Sequence, residues 1–266
     1  MWEDSKKVPS VIKKDGDVWK LTEFKYRDYR ILYPEIFYLA LREVFIYDVY
    51  QSDLLEEGDV VLDMGAGIGD FSVLASKRVG RKGQVIALEP NRQDYEILEK
   101  NINRNNCGNV IALNIGVGKK QEEKEMAFWG RTFNSRLDTM TNILNDLGIK
   151  NKINFIKMDI EGYETEVIKD NVELMSQTNV ISLECHNTKE EIDDVLFALG
   201  FRFQPVSANY MIKKILKNTI FHPGHFMKAA TNTISTHPSI LYDLIKGYNP
   251  NKNEKNVVSG CYIKDR

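Results

Sequence analysis

The sequence predicts an α/β protein with a doubly wound, seven-stranded and mostly parallel sheet. Five short apolar runs follow residue 58, and they are too continuous for a sheet with one face in water. Segments of helical periodicity, such as DFSVLASKRV and NRQDYEILEKNINR, lie between most of these runs. Such alternation is typical of parallel strands that are covered by helices on both faces.

Residues 1–50 are predicted to form an aromatic-rich N-terminal extension. The stretch SVIKKDGDVWKLT has a DG turn between two β-prone runs and predicts a hairpin. Residues 34–50, PEIFYLALREVFIYDVY, predict a helix with Pro34 in its first turn. Because this helix is apolar on most sides, we expect it to be buried against the sheet domain.

Residues 51–207 are predicted to form the core. Its strands are DVVLDM, QVIAL, NVIAL, INFIKM, VISLEC and FRFQPVS. TKEEIDDVLFAL predicts a helix whose first turn is closed by a capping box of Thr188 and Glu191. Residues 257–266 contain VVSGCYI, which predicts a last core strand antiparallel to FRFQPVS. Residues 208–256 are then an inserted cap or substrate-binding segment.

The composition predicts a soluble, cytoplasmic protein and argues against several functional classes. A net charge of −2 disfavours nucleic acid as an electrostatically bound partner. Cys107, Cys185 and Cys261 show no CxxC spacing, which indicates reduced thiols rather than a zinc site. The sequence contains no signal-peptide core and no run of about 18 apolar residues. No feature predicts an oligomeric state.

A glycine-rich loop follows the first strand of the predicted sheet. Glycines at such a strand-to-helix turn let a ligand approach backbone amides at a helix N-terminus. A dinucleotide-binding loop, G-x-G-x-x-G, would need glycine at position 70, where this chain has aspartate. The loop contributes the candidate cofactor-binding residues Asp63, Gly65, Ala66, Gly67, Gly69 and Asp70.

A second carboxylate favours one cofactor over another. Glu89 ends the next strand and can accept both hydroxyls of a ribose. Asp70 would repel a pyrophosphate, but it suits a donor that carries an ammonium and a sulfonium. We therefore predict S-adenosylmethionine rather than NAD, the alternative being a structural turn with solvent-facing acids. The predicted cofactor site is completed by Pro90, Ile115, Gly116 and Asp159.

Several sequence blocks occur in a fixed order within residues 47–203: VVLDMGAGIGDFS, VIALEPN, SRLDTM, INFIKMDIEGYETEVI and VISLECHN. In this order they resemble the FkbM family of class I, Rossmann-like S-adenosylmethionine-dependent methyltransferases. The chain departs from the family at Gly67, where asparagine is common. The resemblance implies O-methylation, usually of sugars, polyketides or other secondary metabolites, and thus a small-molecule or glycan acceptor.

The carboxyl ends of the fourth and fifth predicted strands carry the candidate catalytic residues, Asp159, Glu161, Glu184 and His186. His186 is the predicted base because imidazole titrates near neutrality, although a structural histidine is the open alternative. Glu184 can orient it, and Asp159 can contact the donor or the acceptor. The same oxygens are compatible with Mg²⁺, as in catechol-type methyltransferases that chelate a diol. No spacing requires the ion, so no metal ligand is assigned.

Residues 195–242 contain no acidic residue but several basic ones: Arg202, Lys213, Lys214, Lys217 and Lys228. Residues 210–221 in this stretch predict an amphipathic helix that serves as a substrate lid, an anion contact or a membrane-surface contact. A helix packed on the core is the alternative. The stretch also leaves an RNA methyltransferase as a competing function, although no (N/D)PPY-type motif for base N-methylation is present. A further alternative is a non-catalytic S-adenosylmethionine-binding protein.

Overall fold

The structure is a computed structural model that describes residues 11–14, 17–128, 131–220 and 257–264. Its strands are β1 (Val11–Lys14), β2 (Asp17–Tyr26), β3 (Tyr29–Pro34), β4 (Val60–Met64), β5 (Gln84–Leu88), β6 (Val110–Leu113), β7 (Gly116–Val117), β8 (Glu122–Phe128), β9 (Arg131–Asp138), β10 (Phe155–Met158), β11 (Val180–His186), β12 (Arg202–Pro205) and β13 (Val257–Ile263). Its α-helices are α1 (Tyr38–Arg42), α2 (Asp70–Val79), α3 (Arg92–Arg104), α4 (Met140–Asp146), α5 (Glu164–Asp170), α6 (Val172–Gln177), α7 (Lys189–Ala198) and α8 (Ala208–Ile220).

Seven strands form the main sheet in the order β12-β13-β11-β10-β4-β5-β6. The five strands from β11 to β6 run parallel, and β13 is antiparallel to both of its neighbours, β11 and β12. Every side chain of β4 and β10 is buried, as expected of a sheet with both faces covered. The predicted fold class is confirmed, including the antiparallel pairing of the last strand.

The sheet reverses its strand order between β4 and β10. From β4 the chain proceeds to β5 and β6 on one side, and it later adds β10 and β11 on the other. Ligands bind at such a switch point, beyond the carboxyl ends of the strands. Gly65 after β4 and Asp159 after β10 are in close contact here. A side-chain Cβ at Gly65 would lie only 1.9 Å from the Asp159 carbonyl oxygen.

The N-terminal extension forms a separate antiparallel sheet, β1-β2-β3, and then an irregular helical segment. The predicted hairpin is confirmed by the pairing of β1 with β2, although its DG turn lies outside the described residues. Strand β3 is an additional strand. The continuous helix predicted over residues 34–50 is wrong: a 3₁₀ turn (Glu35–Phe37), α1 and a π-helical turn (Glu43–Tyr47) follow one another. Left-handed backbone at Asp48, φ +53°, ends the segment.

A second small sheet, β7-β9-β8, lies between β6 and β10 in the chain. Its β8–β9 hairpin was not predicted, because four charged residues open β8 and strand propensity favours apolar and β-branched residues.

Helix α8 occupies the start of the predicted insertion, and residues 221–256 lie outside the described part of the chain. The Tyr210 hydroxyl donates to Asp48 at 2.7 Å, and Lys214 forms ion pairs with Asp48 and Asp53. This part of α8 is therefore packed on the N-terminal extension. None of the described helices is long and apolar enough to cross a membrane.

Candidate active site

A cavity of about 520 Å³ opens at the switch point of the sheet. Most of the predicted site residues line it: Gly65, Ala66, Gly67, Asp70, Glu89, Pro90, Ile115, Gly116, Asp159, Glu161, Glu184 and His186. The glycine loop and Glu89 form one end, and the residues after β10 and at the end of β11 form the other. We refer to these as the loop end and the acid end.

Two of the predicted cofactor-binding residues, Asp63 and Gly69, do not line the cavity. Asp63 is buried behind the loop, where it accepts a hydrogen bond from the Ser72 hydroxyl at 2.5 Å. Gly69 precedes α2 and packs on α3, since a Cβ there would lie 2.3 Å from Leu98 Cδ1. Both residues therefore support the loop from behind.

Lys157 joins β10 to the glycine loop. Its Nζ donates to the Gly65 carbonyl at 2.6 Å and lies 3.4 Å from Asp63 Oδ1. Burial opposes protonation of this amine, but the charges of Asp63 and Asp159 raise the pKa of Lys157 above its ordinary value. The lysine therefore stays charged and holds the loop.

Glu89 is bound to the loop through both carboxylate oxygens. Oε2 accepts the Gly67 N–H and Oε1 accepts the Asn91 N–H, each at 2.7 Å. Burial, reinforced by the charge of Asp94, raises the pKa of Glu89 to about 8. A carboxylate oxygen has more than one lone pair, so both oxygens can still accept a hydroxyl from a ligand in the cavity.

The acid end begins where β10 stops. Strand β10 ends at Met158, and left-handed backbone at Glu161 and Gly162, φ +55° and +98°, turns the chain before α5. The Tyr50 hydroxyl donates to Asp159 Oδ2 at 2.8 Å, and Asp159 Oδ1 is buried without a hydrogen-bond partner among the described residues. Burial and the charge of Asp159 raise the pKa of Glu161.

His186 is oriented by Glu164, not by Glu184 as the sequence suggested. Its Nδ1 lies 3.2 Å from Glu164 Oε1, and its Nε2 lies 3.4 Å from Glu161 Oε2. Glu164 is fully buried and also accepts the Gly162 N–H at 2.9 Å. The Thr188 hydroxyl donates to Glu164 at 3.3 Å and makes no cap, so the predicted capping box is wrong.

The acid end favours protonation of both His186 and Glu184. Burial of the imidazole opposes its charge, but the Glu164 hydrogen bond and the charges of Glu161 and Asp159 raise the pKa of His186 to about 9. Burial and the charges of Asp159 and Glu43 raise the pKa of Glu184 to about 8. At neutral pH the imidazole is therefore protonated, which weighs against the base function predicted for it.

Sequence reasoning missed the side walls of the cavity. The N-terminal extension contributes Phe37, Leu39, Ala40, Glu43, Val44 and Tyr50, and the β8–β9 hairpin contributes Met126, Ala127, Phe133 and Leu137. No local motif marks these residues, since they are mostly apolar and belong to elements that reach the cavity only through the tertiary fold. The π-helical turn that carries Glu43 is a local irregularity of the kind often found at functional sites.

Known proteins resemble this chain in sequence and in fold. A hexuronic acid methyltransferase, AglP, of Haloferax volcanii is 31% identical over 142 residues, which cover 49% of this chain and 57% of the relative. This chain thus spans little more than half of that relative's length. A precorrin-6y C5,15-methyltransferase from Geobacter metallireducens has 20% identity and a TM-score of 0.42, covering 59% of this chain and 71% of that chain. M. jannaschii TYW2, solved in complex with AdoMet, has 17% identity and a TM-score of 0.45, with 70% and 78% covered.

The methyltransferase FkbM domain family matches residues 63–203, more than half of the chain. The matched residues include the glycine loop, Glu89 and all four predicted catalytic residues. This confirms the resemblance inferred from the ordered sequence blocks, and the chain belongs to the FkbM methyltransferase family.

Proposed function

We propose that this chain transfers a methyl group from S-adenosylmethionine to a hydroxyl of a glycan, and specifically of a hexuronic acid. The observation that supports this most strongly is the single cavity that joins the loop end to the acid end. Family membership supports methyl transfer, and the name of the Haloferax volcanii relative supports the class of sugar.

The loop end suits the donor. In our proposal Gly65, Ala66 and Gly67 lie under the methionine part, and Glu89 accepts the ribose hydroxyls. Acidic side chains outnumber basic ones in the cavity lining, with Glu43, Asp70, Glu89, Asp94, Asp159, Glu161 and Glu184 against Lys157 and His186. The ionised members of this lining attract a cationic sulfonium and would repel the pyrophosphate of NAD.

The chemistry requires alignment and the removal of one proton. The acceptor oxygen attacks the methyl carbon, the carbon–sulfur bond breaks with its electron pair going to sulfur, and the hydroxyl proton leaves to a base. We propose Glu184 as that base. Its carboxylate has no hydrogen-bond partner among the described residues, and its pKa near 8 makes it more basic than an ordinary glutamate. The imidazolium of His186 has no free lone pair.

RNA is a weaker candidate for the acceptor. A polynucleotide presents many phosphates that need several basic partners, yet Lys214 of the basic stretch is paired with Asp48 and Asp53.

Calorimetry and a transfer assay with labelled S-adenosylmethionine test this function. We expect the donor to bind, and we expect label to enter a hexuronic-acid glycan but neither the matching neutral glycan nor RNA. Label in RNA would establish the alternative acceptor. Binding without transfer to any acceptor would favour a non-catalytic protein, and absence of donor binding would overturn the proposal entirely.

The base is tested by Glu184→Gln, which removes the proton acceptor and retains the side-chain shape. Because the carboxyl must be ionised, wild-type kcat/KM should rise with pH through the pKa of Glu184 and then level. We expect the variant to lose about 10²- to 10⁴-fold in turnover and to lose this rise. Near-normal turnover with an unchanged pH profile would eliminate Glu184 as the base.

A further inference from the structure

The acid end brings two carboxylates and an imidazole into a small space. One ligand atom each from Asp159, Glu161 and His186 lie within 4.8 Å of one another. Three atoms so spaced can share one ion, because nitrogen and oxygen ligands lie about 2.0–2.6 Å from bound divalent cations. The three residues come from the turn after β10 and from the end of β11.

Asp159 distinguishes this cluster from an ordinary acidic surface. Its Oδ1 is buried and has no hydrogen-bond partner among the described residues, although Oδ2 accepts from Tyr50. The carboxylate of the neighbouring Glu184 also has no hydrogen-bond partner among the residues that the structure describes. A buried carboxylate oxygen without a partner, such as Asp159 Oδ1, is costly, and a cation would satisfy it.

His186 is held in the manner of a metal-ligating histidine. Its Nδ1 faces the fully buried Glu164 at 3.2 Å, which leaves Nε2 on the side of Glu161. Metal-ligating histidines generally donate the other ring N–H to a carboxylate or a carbonyl, which fixes the ring and its tautomer. Glu164 would be the positioning residue of such a site.

The positive charges of the cavity lining are already paired with acidic side chains. Lys157 and His186 are its only basic residues in the described part of the chain. Lys157 is committed to Asp63 and Gly65, and the imidazolium of His186 lies between Glu161 and Glu164. A hexuronic acid carries a carboxylate, which the acidic lining would repel. An ion with two positive charges would reverse that repulsion.

We propose that Asp159, Glu161 and His186 bind a divalent cation, which in turn binds the carboxylate and a neighbouring hydroxyl of the acceptor. The acceptor part of this inference rests on the proposed function, whereas the cation site does not. Binding of the cation displaces the proton from His186 Nε2. The cation also polarises the bound hydroxyl, which eases transfer of its proton to Glu184.

Titration of the purified chain with Mn²⁺, followed by the loss of the free-ion electron paramagnetic resonance signal, tests the site without any activity assay. We expect saturable binding of one ion. Asp159→Asn and His186→Asn should each weaken it at least tenfold, and Glu164→Gln should weaken it by about 10- to 100-fold. Glu166→Gln is the matched control, since Glu166 lies exposed on the same helix as Glu164 and should leave affinity unchanged.

Thermal unfolding of each variant, with His186→Gln as a second substitution, separates ligand loss from misfolding. The inference is overturned if the wild type binds no Mn²⁺ up to about 1 mM, or if folded Asp159 and His186 variants bind Mn²⁺ as tightly as the wild type.

Methyl transfer that survives chelation would also overturn the inference while leaving the proposed function standing. Normal Mn²⁺ binding without transfer would count against the proposed function alone. Excess Mn²⁺ should restore turnover in His186→Asn.

Discussion

Glu89 is already engaged with backbone amides of Gly67 and Asn91 before any ligand arrives. We therefore expect Glu89→Ala to remove a ribose acceptor and also to loosen the loop. Above about pH 8, where the Glu89 carboxyl is ionised, the variant should bind S-adenosylmethionine more weakly by about 1.5–3 kcal/mol, the range for hydrogen bonds to a charged group. Calorimetry against Glu99→Ala, an exposed position on the adjacent helix, is the measurement. Equal affinities of the two variants would remove Glu89 from the donor site.

The positions of single site residues were predictable where a reactive side chain stands at the end of a predicted strand. Glu89 and His186 stand at strand ends, and parallel strands bring their carboxyl ends to one edge of the sheet. Glu164 could not be assigned in this way, because it opens a helix and reaches His186 only through the left-handed turn at Glu161. Its only sequence signal is its place three residues after Glu161 in the EGYE block.

The glycine loop after β4 and the turn after β10 pack so closely that the position of each depends on the other. Gly65 has φ +73°, and a Cβ would clash with the Asp159 carbonyl at 1.9 Å. Gly65→Ala should therefore displace Asp159, weaken donor binding at least tenfold and lower stability by about 2 kcal/mol or more. Gly148→Ala is the control, since Gly148 also has positive φ but no atom within 4 Å of a Cβ.

Calorimetry and urea unfolding of both variants measure the effect. If the two substitutions are equally costly, backbone strain alone accounts for the loss and the contact between the loop and the turn is unimportant.

Elements were predictable where hydrophobic periodicity was regular. All seven strands of the main sheet coincide with apolar or β-prone runs in the sequence. Central strands such as β4 and β10 are buried on both faces, whereas the edge strand β12 is mostly exposed. The β8–β9 hairpin lies at the edge of the core and begins with charged residues, so periodicity is weak there. The helical segment before Tyr50 buries Phe37, Leu41, Val44 and Phe45 as expected but leaves Ile36 and Leu39 exposed. Its hydrogen-bonding pattern changes from 3₁₀ to α to π within 13 residues, Glu35–Tyr47. Periodicity cannot resolve such changes.

The whole molecule should lose stability as the pH rises in the absence of ligand. Burial raises the pKa of Asp70, Glu89 and Glu184 to about 6, 8 and 8, so folding favours their protonated forms. The stability that these groups contribute is fully present below the pKa of the unfolded state, which is 4.5 for glutamate. It is lost progressively as the pH rises to about 8. His186, with a pKa of about 9, loses its contribution between 6.5 and 9, in the same direction.

Urea unfolding should accordingly give a free energy of unfolding that falls from pH 5.5 to pH 8 by more than about 1.4 kcal/mol, the equivalent of one pKa unit. In Glu184→Gln the fall should be smaller, because one of the titrating groups is removed. A curve that is flat or rising over this interval would show that the cavity acids do not titrate as described.

The walls contributed by Phe37, Leu39, Val44 and Tyr50 precede residue 63, where the family match begins. In the proposed function, residues 63–203 supply the donor end and the reacting groups, whereas part of the wall around the acceptor comes from residues that precede the matched range. Likeness within the matched range therefore leaves this part of the acceptor wall undetermined. We expect exchange of the segment before residue 63 to alter which acceptor fits the cavity.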